Sequence, residues 1–299
     1  HEYTRVFREM AVLGQELKEL GSQVMGSRIR AKSAIVVDWD NWWALEYSAG
    51  PSCDLRYMDE VKRYYTAFDE LNIPVDLISA EDDLGKYSLV VAPVLYMVKT
   101  GYERALKRFV EDGGTLVATF FSGIVEEHDL VITGGYPGRL RDIFGVWVEE
   151  IDALPMGERN GFCWRGKQYP AELLCDLMHL ETAESEAEYA RDFYAGMPVI
   201  TRNVLGKGKA WYVGTRSDME FYRDFLCEVT GEAGIEEIWT PRDGVEVCVR
   251  ENDKEKFYFF LNHRQKDVEM TMEMSGYSLL EKRDYAAGEK AVLAGKRVM

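Results

Sequence analysis

LVATFFSGIVEEHDLVITGGYPGRLRDIFG, residues Leu116 to Gly145, sets the reading of this chain. Leu116 to Phe121 is an apolar, β-branched run short enough for a buried strand. Ser122-Gly123 ends it and an acidic loop with His128 follows. Gly134-Gly135-Tyr136-Pro137-Gly138 then supplies turn chemistry, the glycines permitting tight backbone turns and Pro137 fixing one. A short amphipathic helix is predicted over Arg139 to Phe144. Upstream the rhythm is strand Ser33–Val37, helix Leu55–Leu71, and strands Pro74–Ser79 and Ser88–Ala92. Helix Gly101–Asp112, closed by Gly113-Gly114, and strand Thr115–Phe120 complete it. Strands alternating with helices of this length predict an α/β fold, a parallel sheet with flanking helices.

Beyond Gly145 the texture changes. Val146–Glu150, Phe162–Tyr169, Pro198–Asn203 and Ala210–Gly214 read as shorter β pieces that extend or decorate the sheet. Asp218–Val229 reads as a helix with Asp218 as its cap. After Thr240-Pro241, strands are predicted over Val245–Val249, Lys256–Leu261, Asp267–Met274 and Ala291–Met299, a small antiparallel β domain, sandwich or half-barrel. Met270, Met272 and Met274 alternate there with Thr271 and Glu273.

At the other end, Glu2–Gly26 reads as a helix with no evident capping residue, stopped by Gly26-Ser27. Val6, Met10, Leu13, Leu17, Leu20 and Val24 line one face of it. Such a stripe is buried against something. Three partners fit: the rest of this chain, a trimeric coiled coil of only about three heptads, or a domain that the helix terminates.

Composition narrows the function. The 299 residues are 46% hydrophobic and 29% charged, an ordinary globular mixture. A net charge of −16 argues against nucleic acid and against an anionic membrane surface, leaving neutral sugars, cations or protein partners. Cys53, Cys163, Cys175, Cys227 and Cys248 show no ligand spacing and read as free thiols of a reducing compartment. No apolar run approaches the roughly 20 residues that span a bilayer.

Asp38-Trp39-Asp40-Asn41-Trp42-Trp43 follows the first strand as an aromatic loop, and open parallel sheets hold ligands beyond the carboxyl ends of their strands. Exposed tryptophans suit the apolar face of a sugar or a subunit interface, and buried ones would plug the top of the core. On the first reading, Trp42→Ala or Trp43→Ala weakens assembly or sugar affinity. Glu126-Glu127 and Glu149-Glu150 invite a search for the two carboxyls of a retaining glycosidase, about 5–5.5 Å apart. In a strand, Glu149 and Glu150 would face opposite sides, so both pairs read as solvated charge. Ser122 with His128 invites a nucleophile elbow, but Phe120 stands where a small residue is needed. Gly206-Lys207-Gly208 opens a strand instead of a helix, and His1, His128, His179 and His263 lack ligand spacing. The residues thus indicate no catalytic, metal or cofactor site.

The order of motifs resembles glycoside hydrolase family 42, bacterial β-galactosidases that assemble as trimers. Besides residues 116–145, the resemblance rests on IVVDWDNWWALE (Ile35–Glu46), Tyr64-Tyr65, LNIPVD (Leu71–Asp76), LVVAPVLY (Leu89–Tyr96) and VMGSR (Val24–Arg28), in order over nearly the whole chain. It implies residues 1–30 as the terminal helix of a (β/α)8 barrel otherwise missing. It implies residues 31–238 as a class I glutamine-amidotransferase-like, flavodoxin-like trimerisation domain, and residues 239–299 as a small antiparallel β-sandwich. The intact enzyme would hydrolyse terminal β-D-galactosyl residues with retention through two barrel glutamates, and neither maps onto a residue here. The fragment is therefore expected to be inactive alone, cofactor-free, cytoplasmic and homotrimeric. Its partners would be its own barrel and, in the intact enzyme, galactosides. Two rivals stand beside this reading: a stand-alone amidotransferase-like hydrolase using Ser122, and a carbohydrate-binding module using the tryptophan loop and the β tail.

Overall fold

The leading helix starts where Thr4 can cap it. The Thr4 hydroxyl accepts the Phe7 N–H at 3.2 Å, a cap not evident in the sequence, and the helix runs Arg5–Val24 (α1). None of its residues is buried, so the described residues do not cover its apolar stripe. The structure is a computed structural model that describes residues 1–295 and divides into two compact units, Ala31–Glu236 and His1–Arg30 with Glu237–Met299.

The larger unit opens with β1 (Ser33–Val36), α2 (Trp39–Tyr47), α3 (Tyr57–Glu70), β2 (Val75–Ile78) and β3 (Leu89–Ala92). It continues through α4 (Tyr102–Glu111), β4 (Thr115–Thr119) and, after a 3-10 turn at Gly138–Leu140, α5 (Arg141–Phe144). The remainder is β5 (Val146–Ala153), β6 (Asn160–Trp164), β7 (Lys167–Leu180), β8 (Glu184–Glu188), β9 (Pro198–Leu205), β10 (Gly208–Val213), β11 (Thr215–Arg216) and α6 (Met219–Glu232). Seven strands form one sheet in the order β2-β1-β3-β4-β10-β9-β8, its first five parallel and β9 antiparallel to both of its neighbours, β10 and β8. A second sheet orders β11-β7-β5, with β6 on β7.

The central strands are buried on both faces, and their two-residue period divides the core. Ile35, Val91, Val117 and Trp211 point to the side of α3 and α6. Ala34, Val36, Val90, Leu116 and Tyr212 point to the side of α4 and α5.

Several expected elements change shape. The aromatic stretch after β1 is the helix α2, not a loop, because the Asp38 carboxylate caps it through the N–H groups of Asp40 and Asn41. Phe162–Tyr169 is no single strand but a hairpin folded at Arg165-Gly166, both at positive φ, from which β7 runs fourteen residues. Glu184–Glu188 was not expected as a strand at all.

In the smaller unit, β12 (Val245–Glu251) pairs with β13 (Lys256–Asn262), β14 (Val268–Thr271) with β17 (Lys290–Leu293), and β15 (Gly276–Ser278) with β16 (Arg283–Tyr285), all antiparallel. Trp239, Val245, Val247, Val268, Met270, Tyr285 and Ala291 form its core. Of the alternating methionines, Met270 is inside and Met274 is out, because β14 stops at Thr271. The expected last strand shortens to Lys290–Leu293, and its residues 296–299 lie outside the described residues. Arg250 ties residues after α1 to β12, its guanidinium donating to the Ser27 hydroxyl (3.1 Å) and carbonyl (2.6 Å). Among the described residues no helix is long and apolar enough to cross a membrane.

Candidate functional site

Strand order singles out one place. β1 lies between β2 and β3; the chain leaves β1 toward the α3 face and leaves β3 toward the α4 face. The two connections part there, and the space beyond such carboxyl ends is where open parallel sheets hold ligands. Asp38 to Trp43 occupy that position.

The six residues divide by environment. Asp38 is buried; besides capping α2 it accepts from Lys99 Nζ at 3.0 Å, and Lys99 also reaches Asp40 at 2.7 Å. Partial burial pulls the Lys99 ammonium down, but the Asp40 and Asp38 carboxylates outweigh it and hold it above its usual range. Tyr57 lies beneath, its hydroxyl accepting from the Asp38 N–H and donating to the Val36 carbonyl, both at 3.2 Å. Burial pushes that phenol up to about 12. Asn41 is fully buried; its Nδ2 donates to the Val94 carbonyl (3.1 Å) and its Oδ1 accepts from the Met97 N–H (2.8 Å). Trp42 leans on the core and donates from Nε1 to Glu46 at 2.6 Å.

Trp39 and Trp43 do not plug the core. They are 59% and 53% exposed, and Tyr47, which sequence reading missed, is 90% exposed. Residues i, i+4 and i+8 share one helix face, so the three form an aromatic row. Trp39 stacks on Trp42 at 5.2 Å and lies 6.0 Å from Trp43. The spacing that reveals Tyr47 exists only once the stretch is read as a helix.

The neighbouring connections carry strain. Val94, after β3, and Phe121, after β4, adopt φ of 43° and 56°. Such conformations cost about 1–3 kcal/mol each and persist where surrounding groups fix them. A nucleophile elbow is a strained strand-end turn of this type. Here the strained residue is Phe121, whose ring lies tilted 5.2 Å from that of Tyr96 and has no nucleophilic atom. Ser122 is fully buried; its hydroxyl donates to the Thr119 carbonyl (2.6 Å) and accepts from the Leu95 N–H (3.0 Å). His128 is turned instead to Glu126, at 3.1 Å, and that hydrogen bond raises its pKa. Ser122 and His128 are therefore committed to different partners.

Asp176, on β7, is the buried acid that sequence reading overlooked. One carboxylate oxygen accepts the Phe121 N–H (3.1 Å) and the Tyr212 hydroxyl (2.8 Å), while Oδ1 has no hydrogen-bond partner among the described residues. Burial pushes this carboxyl up to about 7.

Of the remaining acidic candidates, Glu126, Glu127 and Glu149 serve as ties. Ligand atoms of Glu126, Glu127 and His128 lie within 4.8 Å of one another at a partly exposed loop. Glu127 accepts the Thr100 N–H at 3.0 Å and meets Arg139 at 3.6 Å. The Thr100 hydrogen bond is the largest influence holding the Glu127 carboxyl down at about 2. Glu149 and Glu150 do not alternate across the strand as expected. A bulge between Val148 and Glu150 interrupts the pleat, both are exposed, and Glu149 pairs with His179 at 2.6 Å.

Comparison with known proteins follows this division of the chain. Residues 31–236 match the model of the β-galactosidase trimerisation domain, and residues 244–293 match that of the β-galactosidase C-terminal domain. The chain is 51% identical over 283 residues to β-galactosidase BgaA of a Planococcus species, covering 93% of this chain and 42% of that protein. It is 42% identical over 289 residues to β-galactosidase LacZ of Lactobacillus acidophilus, covering 96% and 43%. The β-galactosidase structure from Bacillus circulans sp. alkalophilus superposes with a TM-score of 0.94 at 44% identity, over 99% of this chain and 44% of that one. Gan42B, a GH42 β-galactosidase, superposes with a TM-score of 0.94 at 34% identity, over 99% and 43%. The chain thus spans less than half the length of these relatives.

Proposed function

The chain belongs to family 42 of the glycoside hydrolases, matching its trimerisation and C-terminal domains, and on that premise we propose that it is the noncatalytic assembly part of a β-galactosidase. The intact enzyme hydrolyses terminal β-D-galactosyl residues with retention, on acid/base and nucleophile glutamates that lie outside these residues. Three copies associate through residues 31–238, residues 239–299 form a small β-sandwich, and residues 1–30 end the catalytic barrel. The order β2-β1-β3-β4-β10 supports reading the parallel strands as flavodoxin-like and amidotransferase-like. The uncovered stripe of α1 supports a barrel partner for it. A cytoplasmic location belongs to the same reading and is supported by the free thiols of Cys53, Cys163, Cys175 and Cys227.

The observation that carries the proposal is the trimerisation-domain match over residues 31–236 in relatives more than twice as long. Glu126, Glu127, Glu149 and the Ser122 hydroxyl are bound to other partners, which supports a scaffold over a stand-alone hydrolase. On this reading the row Trp39, Trp43 and Tyr47 faces a neighbouring subunit or the mouth of its active site. Sedimentation of the purified chain, with a chromogenic β-galactoside assay on the same material, tests the proposal. Trimers without turnover are expected. Galactose release at an enzyme-like rate would sink it.

A further inference from the structure

A buried amide on an exposed helix has to be explained. Polar side chains on such helices ordinarily turn to water, yet Asn41 turns inward and is fully buried. It crosses from the β1 side of the parting in the sheet to the β3 side, where both halves of its amide bond backbone: Val94 C=O and Met97 N–H. Val94 is a β-branched residue at positive φ, and the peptides on both sides of it are held. Its N–H donates to Thr119 Oγ1 at 2.7 Å and its carbonyl accepts from Asn41. Lys99, from the same connection, ties the start of α2 through Asp38 and Asp40. The space that would receive a ligand in an open parallel sheet is therefore bridged by the protein's own amide.

We propose that Asn41 is a positioning residue that closes this crevice from within and so holds Trp39, Trp43 and Tyr47 as one fixed row. The consequence for binding rests on the reading of that row as a contact surface. Side chains already ordered lose less freedom when a partner arrives, so the contact is tighter than a mobile row would give.

Asn41→Ala and Asn41→Asp test it, read by near-ultraviolet circular dichroism of the stacked Trp39–Trp42 pair and by sedimentation. Asn41→Ala is expected to keep the far-ultraviolet spectrum, lose the tryptophan couplet and weaken self-association at least tenfold. Asn41→Asp keeps an acceptor for the Met97 N–H, but an ionised carboxylate cannot donate to the Val94 carbonyl. Its couplet is expected to fall where the new acid is ionised and return where it is protonated. Asp38, Asp40, Lys99 and Tyr57 face the same place in the unmodified protein too, so its own couplet over that pH range is the reference against which the variant is read. An unchanged couplet in Asn41→Ala, or a pH-independent one in Asn41→Asp, overturns the proposal. Should Asn41→Ala fail to fold, the Asn41→Asp titration decides alone. If the unmodified chain does not self-associate, the assembly reading of the row falls, while the couplet still judges Asn41.

Discussion

Replacing Asp176 by Asn puts the electrostatics of the β4 elbow to a quantitative test. Burial raises this carboxyl from 3.8 to about 7, against the hydrogen bonds from Tyr212 and the Phe121 N–H. The folded state then keeps a proton that the unfolded chain has already released. Stability from this group is therefore full below about pH 4, falls as pH rises toward 7, and stays low above that. That rise in pKa corresponds to about 4 kcal/mol lost by pH 8. Asn keeps an acceptor for Phe121 and Tyr212 but places an amino group where Oδ1 has no partner, costing about 1–3 kcal/mol at every pH. The variant should therefore gain about 2–3 kcal/mol on the unmodified protein between pH 5 and pH 8. It would become the more stable of the two at the alkaline end. Urea unfolding at several pH values, followed by tryptophan fluorescence, measures the difference. A gap that does not move with pH would refute the argument.

Three other outcomes follow from the packing. Gly123→Ala should abolish stable folding of the larger unit, losing more than about 4 kcal/mol, because φ is +68° and a Cβ there would run into the Pro137 carbonyl; thermal denaturation reads it. Glu60→Gln should cost about 3–5 kcal/mol by stranding Arg216 and Arg63 beside a buried site, and Glu60→Leu with Arg216→Met should recover most of it in urea. Trp43→Ala should change stability by less than about 0.5 kcal/mol yet weaken self-association, whereas Trp42→Ala, packed on the core, should cost about 2–4 kcal/mol. Equal stability losses in the two tryptophan variants would count against the row as a surface.

The central parallel strands were legible because both their faces are buried, leaving largely apolar runs such as Leu89–Ala92 and Thr115–Thr119. Elements whose stability comes from tertiary contacts were not. The strand β7 carries Pro170, Glu172 and Asp176, residues that disfavour a strand, and it persists because β5, β6 and β11 pair along it. Arg165, where Asn or Asp would signal a tight hairpin, hid the turn before it. The helix α2 is disguised by aromatic residues with modest helix propensity, and its cap, Asp38, reads in the sequence as one more member of the site cluster. Of the candidate site, the six residues were visible as a cluster. Which of them point inward was not, because Asn41 takes its partners more than fifty positions away.

One end of the large sheet is lined with acid. The terminal strand β8 reads ESEAE, with Glu184 and Glu188 exposed and Glu186 gripped by Arg165 and Arg202, each at 2.8 Å. Another molecule laid alongside it in the sheet direction would bring rows of carboxylates together, a repulsive juxtaposition that guards a free edge. Open-ended extension of the sheet is thereby discouraged at that border.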